Sequence, residues 1–252
     1  MSLILHRLLK GLISMQAWIA LCAWALAASA YHMVYRQFLP WQEGCLVALF
    51  TWSAYLLYYA SNKLYPWAKF LLLPISLSTF GLYVYCHYPK PLFLFGIATI
   101  SALYLIPIQG LKRSFRLYRW GLLSMIWAIF PFFFSLKSIP FEWTIAFYFA
   151  FRCFFVANLC FIFFIKDEAF NVKEKTMNNL RRILLIGQSL SVLVLGIYHS
   201  FFLALALSLI TFFTYRAYRK QHLQKTGTYF YPIETDGLMI LESIFVQSLN
   251  LL

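Results

Sequence analysis

The chain has 252 residues, of which 62% are hydrophobic, 21% aromatic and only 12% charged, with a formal net charge of +13. Soluble domains contain about 45–50% apolar and about 25% charged residues, so this composition excludes an ordinary soluble enzyme, a disordered chain and a disulfide-stapled secreted domain. The length suits a single membrane-embedded bundle over residues 1–252 and is too short for an additional sizeable soluble domain.

Nine apolar runs follow one another along the chain, and a helix that spans a bilayer needs about 20 such residues. The runs occupy residues 11–31, 45–61, 70–86, 92–109, 120–136, 143–165, 183–198, 200–215 and 237–252. The seventh and eighth runs meet at His199 and Ser200, so we expect a tight turn there. The runs predict an all-α fold class, a polytopic transmembrane helical bundle of about nine helices.

The Lys and Arg residues are concentrated on one side of the predicted membrane. With the N-terminus placed in the cytoplasm, seventeen of the 21 fall in cytoplasmic stretches, whereas only Arg36, Lys90 and Lys137 fall outside. Short cytoplasmic loops carry the excess of Lys and Arg in membrane proteins. The sequence therefore predicts a multi-pass protein with its N-terminus in the cytoplasm and its C-terminus outside.

The same distribution of charge argues against nucleic acid as a partner. The basic residues flank apolar runs, where each attracts anionic headgroups by about 1 kcal/mol, and they form no basic face on a separate soluble module. The predicted partners are membrane lipids, and the sequence names no protein partner. Five cysteines lie in apolar runs without paired spacing and are expected to be small buried hydrophobes. They are Cys22, Cys45, Cys86, Cys153 and Cys160.

Arg152 is the one basic residue that lies well inside an apolar run, in the sequence F-Y-F-A-F-R-C-F-F-V-A-N. An arginine near the bilayer midplane costs at least about 2.5–3.5 kcal/mol, so it should face the bundle interior and find a polar partner. Asn158 on the same run and Glu242 on the last run are candidates for that partner. A polar cavity and a purely structural contact are equally open interpretations of this arginine.

The search for catalytic motifs gives no assignment. The chain contains no phosphate-binding G-x-x-x-x-G-K-[ST] loop, no G-x-G-x-x-G, no H-E-x-x-H and no G-x-S-x-G. Acidic residues on the predicted cytoplasmic side include Asp167, Glu168, Glu174 and Asp236, and any cation-dependent chemistry would have to use them. The alternative is that these acids only balance the basic loops.

Three stretches of the sequence can be compared with a known family of membrane proteins. The first, L-K-R-S-F-R-L-Y-R-W-G-L-L-S-M-I-W-A-I-F-P, has a basic loop before a helix that contains Trp127 and Pro131. The second runs from Arg152 through F-I-F-F-I-K-D-E-A-F-N-V-K-E-K-T-M, and the third is Y-P-I-E-T-D-G-L-M-I-L-E. With nine predicted helices, these stretches resemble divergent bacterial members of the UbiA superfamily of intramembrane prenyltransferases.

The resemblance implies a UbiA-like bundle in the bacterial cytoplasmic membrane and an isoprenoid as the lipid it binds. Members of the family hold a prenyl diphosphate through Mg²⁺ on two acidic motifs, N-x-x-x-D-x-x-x-D and D-x-x-x-D. Carried over to this chain, the resemblance implies five candidate substrate-binding residues, Asn62, Lys112, Arg113, Arg119 and Arg152. It also implies three candidate metal ligands, Asp167, Asn171 and Asp236.

The chain departs from both acidic motifs. Counting from Asn62, the two aspartate positions of the first motif hold Pro66 and Phe70, and the second motif reads Asp167-x-x-x-Asn171. One of four family aspartates therefore remains. A protein Mg²⁺ site relies on carboxylates together with substrate phosphates, so this set is poorly suited to the metal.

Three hypotheses follow. The first is a UbiA-like protein with degenerate acidic motifs that is not a metal-dependent transferase and binds an isoprenoid or another lipid, or serves as a membrane subunit. The second is an active intramembrane prenyltransferase that moves a prenyl group from a prenyl diphosphate to a lipophilic acceptor. Only the second requires Mg²⁺ as a cofactor, with Asp167, Glu168 and Asp236 as replacement ligands. The third is a transporter or channel, which is disfavoured because Arg152 and Glu242 are its only charges inside helices.

Overall fold

A computed structural model describes residues 17–59, 66–86, 114–134, 142–166, 174–222 and 235–248. Every regular element in these ranges is a helix. In chain order the helices are α1 (Ala17–Tyr35), α2 (Trp41–Tyr59), α3 (Pro66–Cys86), α4 (Ser114–Phe134), α5 (Trp143–Lys166), α6 (Glu174–Tyr198), α7 (Phe201–His222) and α8 (Gly237–Ser248). The all-helical class predicted from the sequence is confirmed for the described residues.

Each of the eight helices contains most of one predicted apolar run, and the remaining run, 92–109, lies outside the described residues. The largest difference in a boundary concerns α6, which begins at Glu174 although its apolar run begins at residue 183. The polar residues 174–182 continue the same helix, because good helix formers such as Glu, Lys and Arg extend a helix past its apolar part. Hydropathy therefore located the helix but placed its start too late.

Within the described ranges, four helical segments are long and apolar enough to cross a membrane: Ala17–Tyr35, Trp143–Ile162, Met177–Tyr198 and Phe201–Arg219. Three shorter apolar segments occur in α3, α4 and α8. Both α3 and α4 contain an internal proline, Pro74 and Pro131, and a proline within a helix removes one backbone hydrogen bond and bends the helix. These apolar helices indicate a membrane protein.

The expected tight turn between the seventh and eighth runs is confirmed. Only His199 and Ser200 separate α6 from α7. The amide of His199 donates to the carbonyl of Leu195 at 2.9 Å, and the amide of Ala204 donates to the carbonyl of Ser200 at 3.1 Å. The two helices therefore form a hairpin, and their backbone hydrogen bonds continue up to the turn.

The helices form a closed arrangement in which the last one returns to the first. Helix α1 packs against α2, α4 and α8, whereas α5 packs against α4, α6 and α7. Helix α8 also contacts α7, which closes the ring α1–α4–α5–α7–α8, and α3 packs on α2 at its side. Because of this closure, residues far apart in sequence meet inside the bundle.

The side chains that point out of the bundle are strongly apolar. On α6 they follow a helical stripe of Ile183, Ile186, Leu190, Leu193 and Ile197, which are 57–71% exposed. A second stripe on α7 consists of Phe202, Leu205, Leu209 and Phe212. A face this apolar is stable against lipid and not against water, which supports the assignment as a membrane protein.

Two glycines allow close contacts between helices. A Cβ atom added to Gly187 of α6 would lie 2.5 Å from Cε1 of Phe154 on α5, and one added to Gly44 of α2 would lie 2.6 Å from the indole of Trp24 on α1. Small residues are favoured at helix contacts in membranes because they let the backbones approach. Gly187 therefore sets how closely α5 and α6 pack.

Candidate functional site

Arg152 lies in the middle of α5 and is completely buried, with 0% of its surface exposed. The prediction that it faces the bundle interior is confirmed. Its neighbours on α5 one turn away, Tyr148 and Val156, are also fully buried, as are Phe151 and Phe155. The guanidinium group is therefore held inside an aromatic core, where only nearby polar or π-rich groups can compensate its charge.

Two neighbouring helices supply contacts to the guanidinium group. Nη2 of Arg152 donates a hydrogen bond to the backbone carbonyl of Leu26 on α1. From α4, the ring of Phe132 lies 5.6 Å from the central guanidinium carbon, a distance at which a cation is attracted to an aromatic face. These contacts fix the position of the arginine between α1 and α4.

Glu242 of α8 is the second charged group at this site and is also 0% exposed. The hydroxyl of Tyr148, one turn before Arg152 on α5, donates a hydrogen bond to Oε1 of Glu242. The hydroxyl of Ser29 on α1 donates to the backbone carbonyl of Leu26 at 3.2 Å and lies close enough to this carboxyl group to influence it, as does the charge of Arg152. Arg152, Tyr148, Ser29 and Glu242 thus form one polar cluster, called the central cluster below.

Several polar atoms of the central cluster have no hydrogen-bond partner. These are Nε and Nη1 of Arg152 and Oε2 of Glu242, all of which are buried. Arg152 and Glu242 therefore share no hydrogen bond, although they are the two opposite charges of the cluster. Buried polar atoms are nearly always paired, so this set of atoms is a candidate position for a bound polar group, and a water molecule is the simplest such group.

A second polar network connects α5, α6 and α7 and is fully paired. Nδ2 of Asn158 donates to Oε1 of Gln188 at 2.8 Å, and Nε2 of Gln188 donates to the hydroxyl of Thr211 at 3.2 Å. The hydroxyl of Tyr218 donates to Oδ1 of Asn158 at 3.0 Å. Since each of these side chains is satisfied by the next, this network holds three helices together. Asn158 belongs to it and does not contact Arg152.

A third polar contact joins two turns of the bundle. Arg36 follows α1 with a backbone φ of 55° and its side chain donates to Nε2 of His199, in the turn between α6 and α7. A residue in the left-handed backbone conformation after a helix end is usually glycine. The presence of an arginine here indicates that its side-chain contact with His199 stabilises this backbone conformation. Burial, and next the charge of Arg36, lower the pKa of His199, while Glu142 raises it to a smaller extent.

Asp236 lies immediately before α8, at the opposite end of the bundle from His199. The backbone carbonyl of Asp236 accepts a hydrogen bond from the thiol of Cys22 at 3.4 Å. Removal from water raises the pKa of the Asp236 carboxyl to about 8. A raised pKa favours the neutral carboxyl, which is a weaker ligand for Mg²⁺ than a carboxylate.

Five of the six remaining candidate residues fall outside what the structure describes. Asn62, Lys112, Arg113, Asp167 and Asn171 all lie between the described ranges, and Arg119 lies within α4. Their roles as substrate-binding residues or metal ligands stay predictions. Among the described residues, no group of three or more His, Cys, Asp or Glu side chains is placed to hold a metal ion.

Tyr148 and Ser29 belong to the central cluster but were not predicted from the sequence. Tyr148 stands four residues before Arg152, which places both on one face of a helix, and this spacing is a signal that sequence analysis can use. Ser29 offers no such signal, because its position beside Glu242 depends on how α1 packs against α8.

Comparison with known protein families, with curated proteins and with solved structures gives no match to this chain. The family resemblance described above is therefore neither supported nor opposed by a relative, and function has to be argued from the site.

Proposed function

We propose that the protein is a polytopic membrane protein that binds the polar head of a lipid at the central cluster without a metal ion. The observation that carries this proposal is the pair of unpartnered nitrogens on Arg152, completely buried in the bundle beside an unpartnered oxygen of Glu242. An ionisable residue inside a membrane bundle is expensive to insert and marks a functional site by default. The UbiA-like resemblance adds an isoprenoid as the expected lipid.

Nine membrane spans are part of this proposal. Helix α5 runs antiparallel to α4, since Trp120 contacts Phe161 while Phe132 contacts Phe149, at centroid distances of 5.4 and 4.8 Å. Following the connected neighbours around the bundle, α3 and α4 point in the same direction. The fourth apolar run lies between Cys86 and Ser114 and is the remaining span of this proposal.

The orientation of the bundle in the membrane is proposed from its basic residues. Arg36 and His199 meet at one end of the bundle, and Asp236 meets α1 at the other. We assign the Asp236 end to the cytoplasm of a bacterial cell, because the cytoplasmic loops would then carry most of the Lys and Arg. Reporter fusions after Arg36 and after residue 225 would test this, with the second expected to be cytoplasmic.

The lipid-binding proposal is tested on the full chain purified in a mild detergent. Thermal stability is measured with long-chain prenyl lipids that carry an alcohol, a monophosphate or a diphosphate head group, each with Mg²⁺ and with a chelator in place of Mg²⁺. A ligand at a hundred times its dissociation constant stabilises a protein by about 2.7 kcal/mol. We expect stabilisation that does not depend on Mg²⁺, persists in Asp167→Ala and Asp236→Ala, and is lost in Arg152→Gln.

Two results would contradict the proposal. Stabilisation that requires Mg²⁺ and disappears in Asp167→Ala would instead support a prenyltransferase and justify a search for its acceptor. If no lipid stabilises the protein and none co-purifies with it by mass spectrometry, lipid binding is wrong. Asn179→Ala, at an exposed position of α6, is the matched control for the effect of handling a variant.

A further inference from the structure

The central cluster specifies which chemical group its ligand presents. Arginine can only donate hydrogen bonds, and an ionised carboxylate can only accept them. The free atoms of the cluster are the donors Nε and Nη1 of Arg152 and the acceptor Oε2 of Glu242. A single group that satisfies both sides has to accept from the arginine and donate to the glutamate.

From this complementarity we infer that the ligand is a hydroxyl-bearing lipid, an alcohol or phenol, whose oxygen accepts from Arg152 and whose proton is donated to Glu242. The inference rests on the proposed function and names the class of its ligand. A fully ionised phosphate or a carboxylate has no proton to donate and would leave Oε2 of Glu242 unsatisfied and facing a like charge. A ketone or ether accepts but cannot donate.

The charge of the cluster favours the same class. With Glu242 ionised, the opposite charges of Glu242 and Arg152 offset each other, and both side chains are completely buried. The pair is therefore neutral as a unit, whereas an anionic ligand would add an uncompensated charge in a region of low dielectric constant. A neutral hydroxyl group adds two hydrogen bonds and no charge.

The surroundings of the cluster suit a lipid. Tyr148 stacks on Phe151 with ring centroids 6.4 Å apart, and Phe151 stacks on Phe155 at 5.8 Å. Phe132 lies beside both Arg152 and Tyr148. The polar atoms thus occupy a small region surrounded by aromatic rings, as in ligand sites where a few polar groups orient an otherwise apolar molecule.

The test compares three ligands that share one tail. They are a C20 prenyl alcohol, its methyl ether and its monophosphate, and each is titrated against the full chain in detergent or nanodiscs, with the dissociation constant taken from thermal stability. A hydrogen bond to a charged group corresponds to roughly a tenfold or larger change in affinity. We expect the alcohol to bind at least tenfold more tightly than the ether and the phosphate.

A conservative variant tests the role of Glu242. In Glu242→Gln, the amide oxygen can still accept from Tyr148, which leaves the amide NH₂ toward the ligand as a donor. The alcohol and the ether should then bind with about equal dissociation constants. The preference for the alcohol over the phosphate should decrease. If this variant does not fold, the three-ligand series on the unmodified chain decides the question alone.

Each outcome has a distinct meaning. Equal binding of alcohol and ether overturns the hydroxyl inference and leaves lipid binding intact. Tighter binding of the phosphate also overturns it and leaves lipid binding intact. If none of the three ligands binds and no lipid co-purifies with the protein, the proposed function itself is wrong.

Discussion

At the scale of single residues, Arg152 explains why α1, α4, α5 and α8 meet where they do. Placing an arginine in the middle of a membrane helix costs at least about 2.5–3.5 kcal/mol. The carbonyl of Leu26, the ring of Phe132 and the charge of Glu242 together offset that cost. Each comes from a different helix, so the arginine is stable only in the assembled bundle.

We predict that Arg152→Gln lowers the free energy of unfolding by about 3 kcal/mol, because it leaves the buried charge of Glu242 uncompensated. The double variant Arg152→Gln/Glu242→Gln should lose at least about 1 kcal/mol less than the sum of the two single variants. Unfolding in detergent or a lipid bilayer measures all three. Additive effects would show that the two charges do not interact.

Asn158 gives a second prediction at this scale. Replacing it with Ala removes hydrogen bonds to Gln188 and from Tyr218, and interhelical hydrogen bonds in membranes contribute about 0.6–1.7 kcal/mol each. We expect Asn158→Ala to lower the free energy of unfolding by about 1–2 kcal/mol. Asn179→Ala, at an exposed position on α6, should change it by less than about 0.5 kcal/mol.

Sequence analysis identified part of the central cluster. A charge inside an apolar run is conspicuous, and this singled out both Arg152 and Glu242. The roles of Leu26 and Ser29 could not be predicted, because a backbone carbonyl has no sequence signature and a serine in an apolar helix is common. Asn158 was predicted as a possible partner of Arg152. Six residues correspond to a rotation of about 240° around the helix axis, so Asn158 faces α6 and α7 and not the side of Arg152.

At the scale of helices, positions without a side chain determine how closely neighbours pack. Gly187 contacts the ring of Phe154 on α5, and the next residue, Gln188, hydrogen-bonds to Asn158 on the same helix. The close approach of the backbones therefore brings the polar network within hydrogen-bond distance. A separation of α5 and α6 by even a few tenths of an ångström would weaken both contacts.

We predict that Gly187→Ala destabilises the protein by about 1–3 kcal/mol, because its Cβ would overlap the ring of Phe154. Gly121 on α4 is the matched control, since a Cβ added there meets nothing within 4 Å. Gly121→Ala should be neutral or stabilising by up to about 1 kcal/mol, because alanine favours a helix more than glycine does. Equal effects of the two substitutions would contradict the packing argument.

The existence of these helices was easier to predict than their ends. A long apolar run in a membrane protein has to be helical, because lipid offers no partners for backbone groups. The ends lie where water or headgroups can satisfy the backbone, so hydropathy no longer determines them. Residues 174–182 illustrate this, since α6 includes them although they are polar.

At the scale of the whole molecule, the bundle has two chemically different ends. One end carries the contact between Arg36 and His199, with Glu142 at the start of α5 close enough to affect the histidine. The hydrogen bond from Arg36 requires an unprotonated Nε2 on His199. The contact therefore exists only while this imidazole is neutral, and it connects the α1–α2 turn to the α6–α7 hairpin.

This contact predicts a dependence of stability on pH. The pKa of His199 is lowered in the folded protein from its ordinary value of 6.5, so the unfolded chain binds the proton first as pH falls. Stability should therefore be complete above about pH 6.5 and decrease as pH falls below it, until the folded pKa is reached. Thermal unfolding between pH 5 and 8 measures the effect.

His199→Gln is the control for the pH prediction. Glutamine retains an acceptor for Arg36 but does not titrate, so the variant should lose less stability than the unmodified chain between pH 7 and pH 5. The same loss in both proteins would assign the pH dependence to another group.

The closure of the bundle by α8 has a consequence for how the protein is made. Tyr148 and its acceptor on Glu242 are 94 residues apart in the chain, and ribosomes add about 5–20 residues per second. Arg152 therefore waits in the membrane for roughly 5–20 seconds before the helix that compensates its charge is synthesised. During this interval Arg152 can contact Leu26 and Phe132 on helices already made, but the carboxyl group of Glu242 is still missing, so the nascent bundle carries an uncompensated charge inside the membrane.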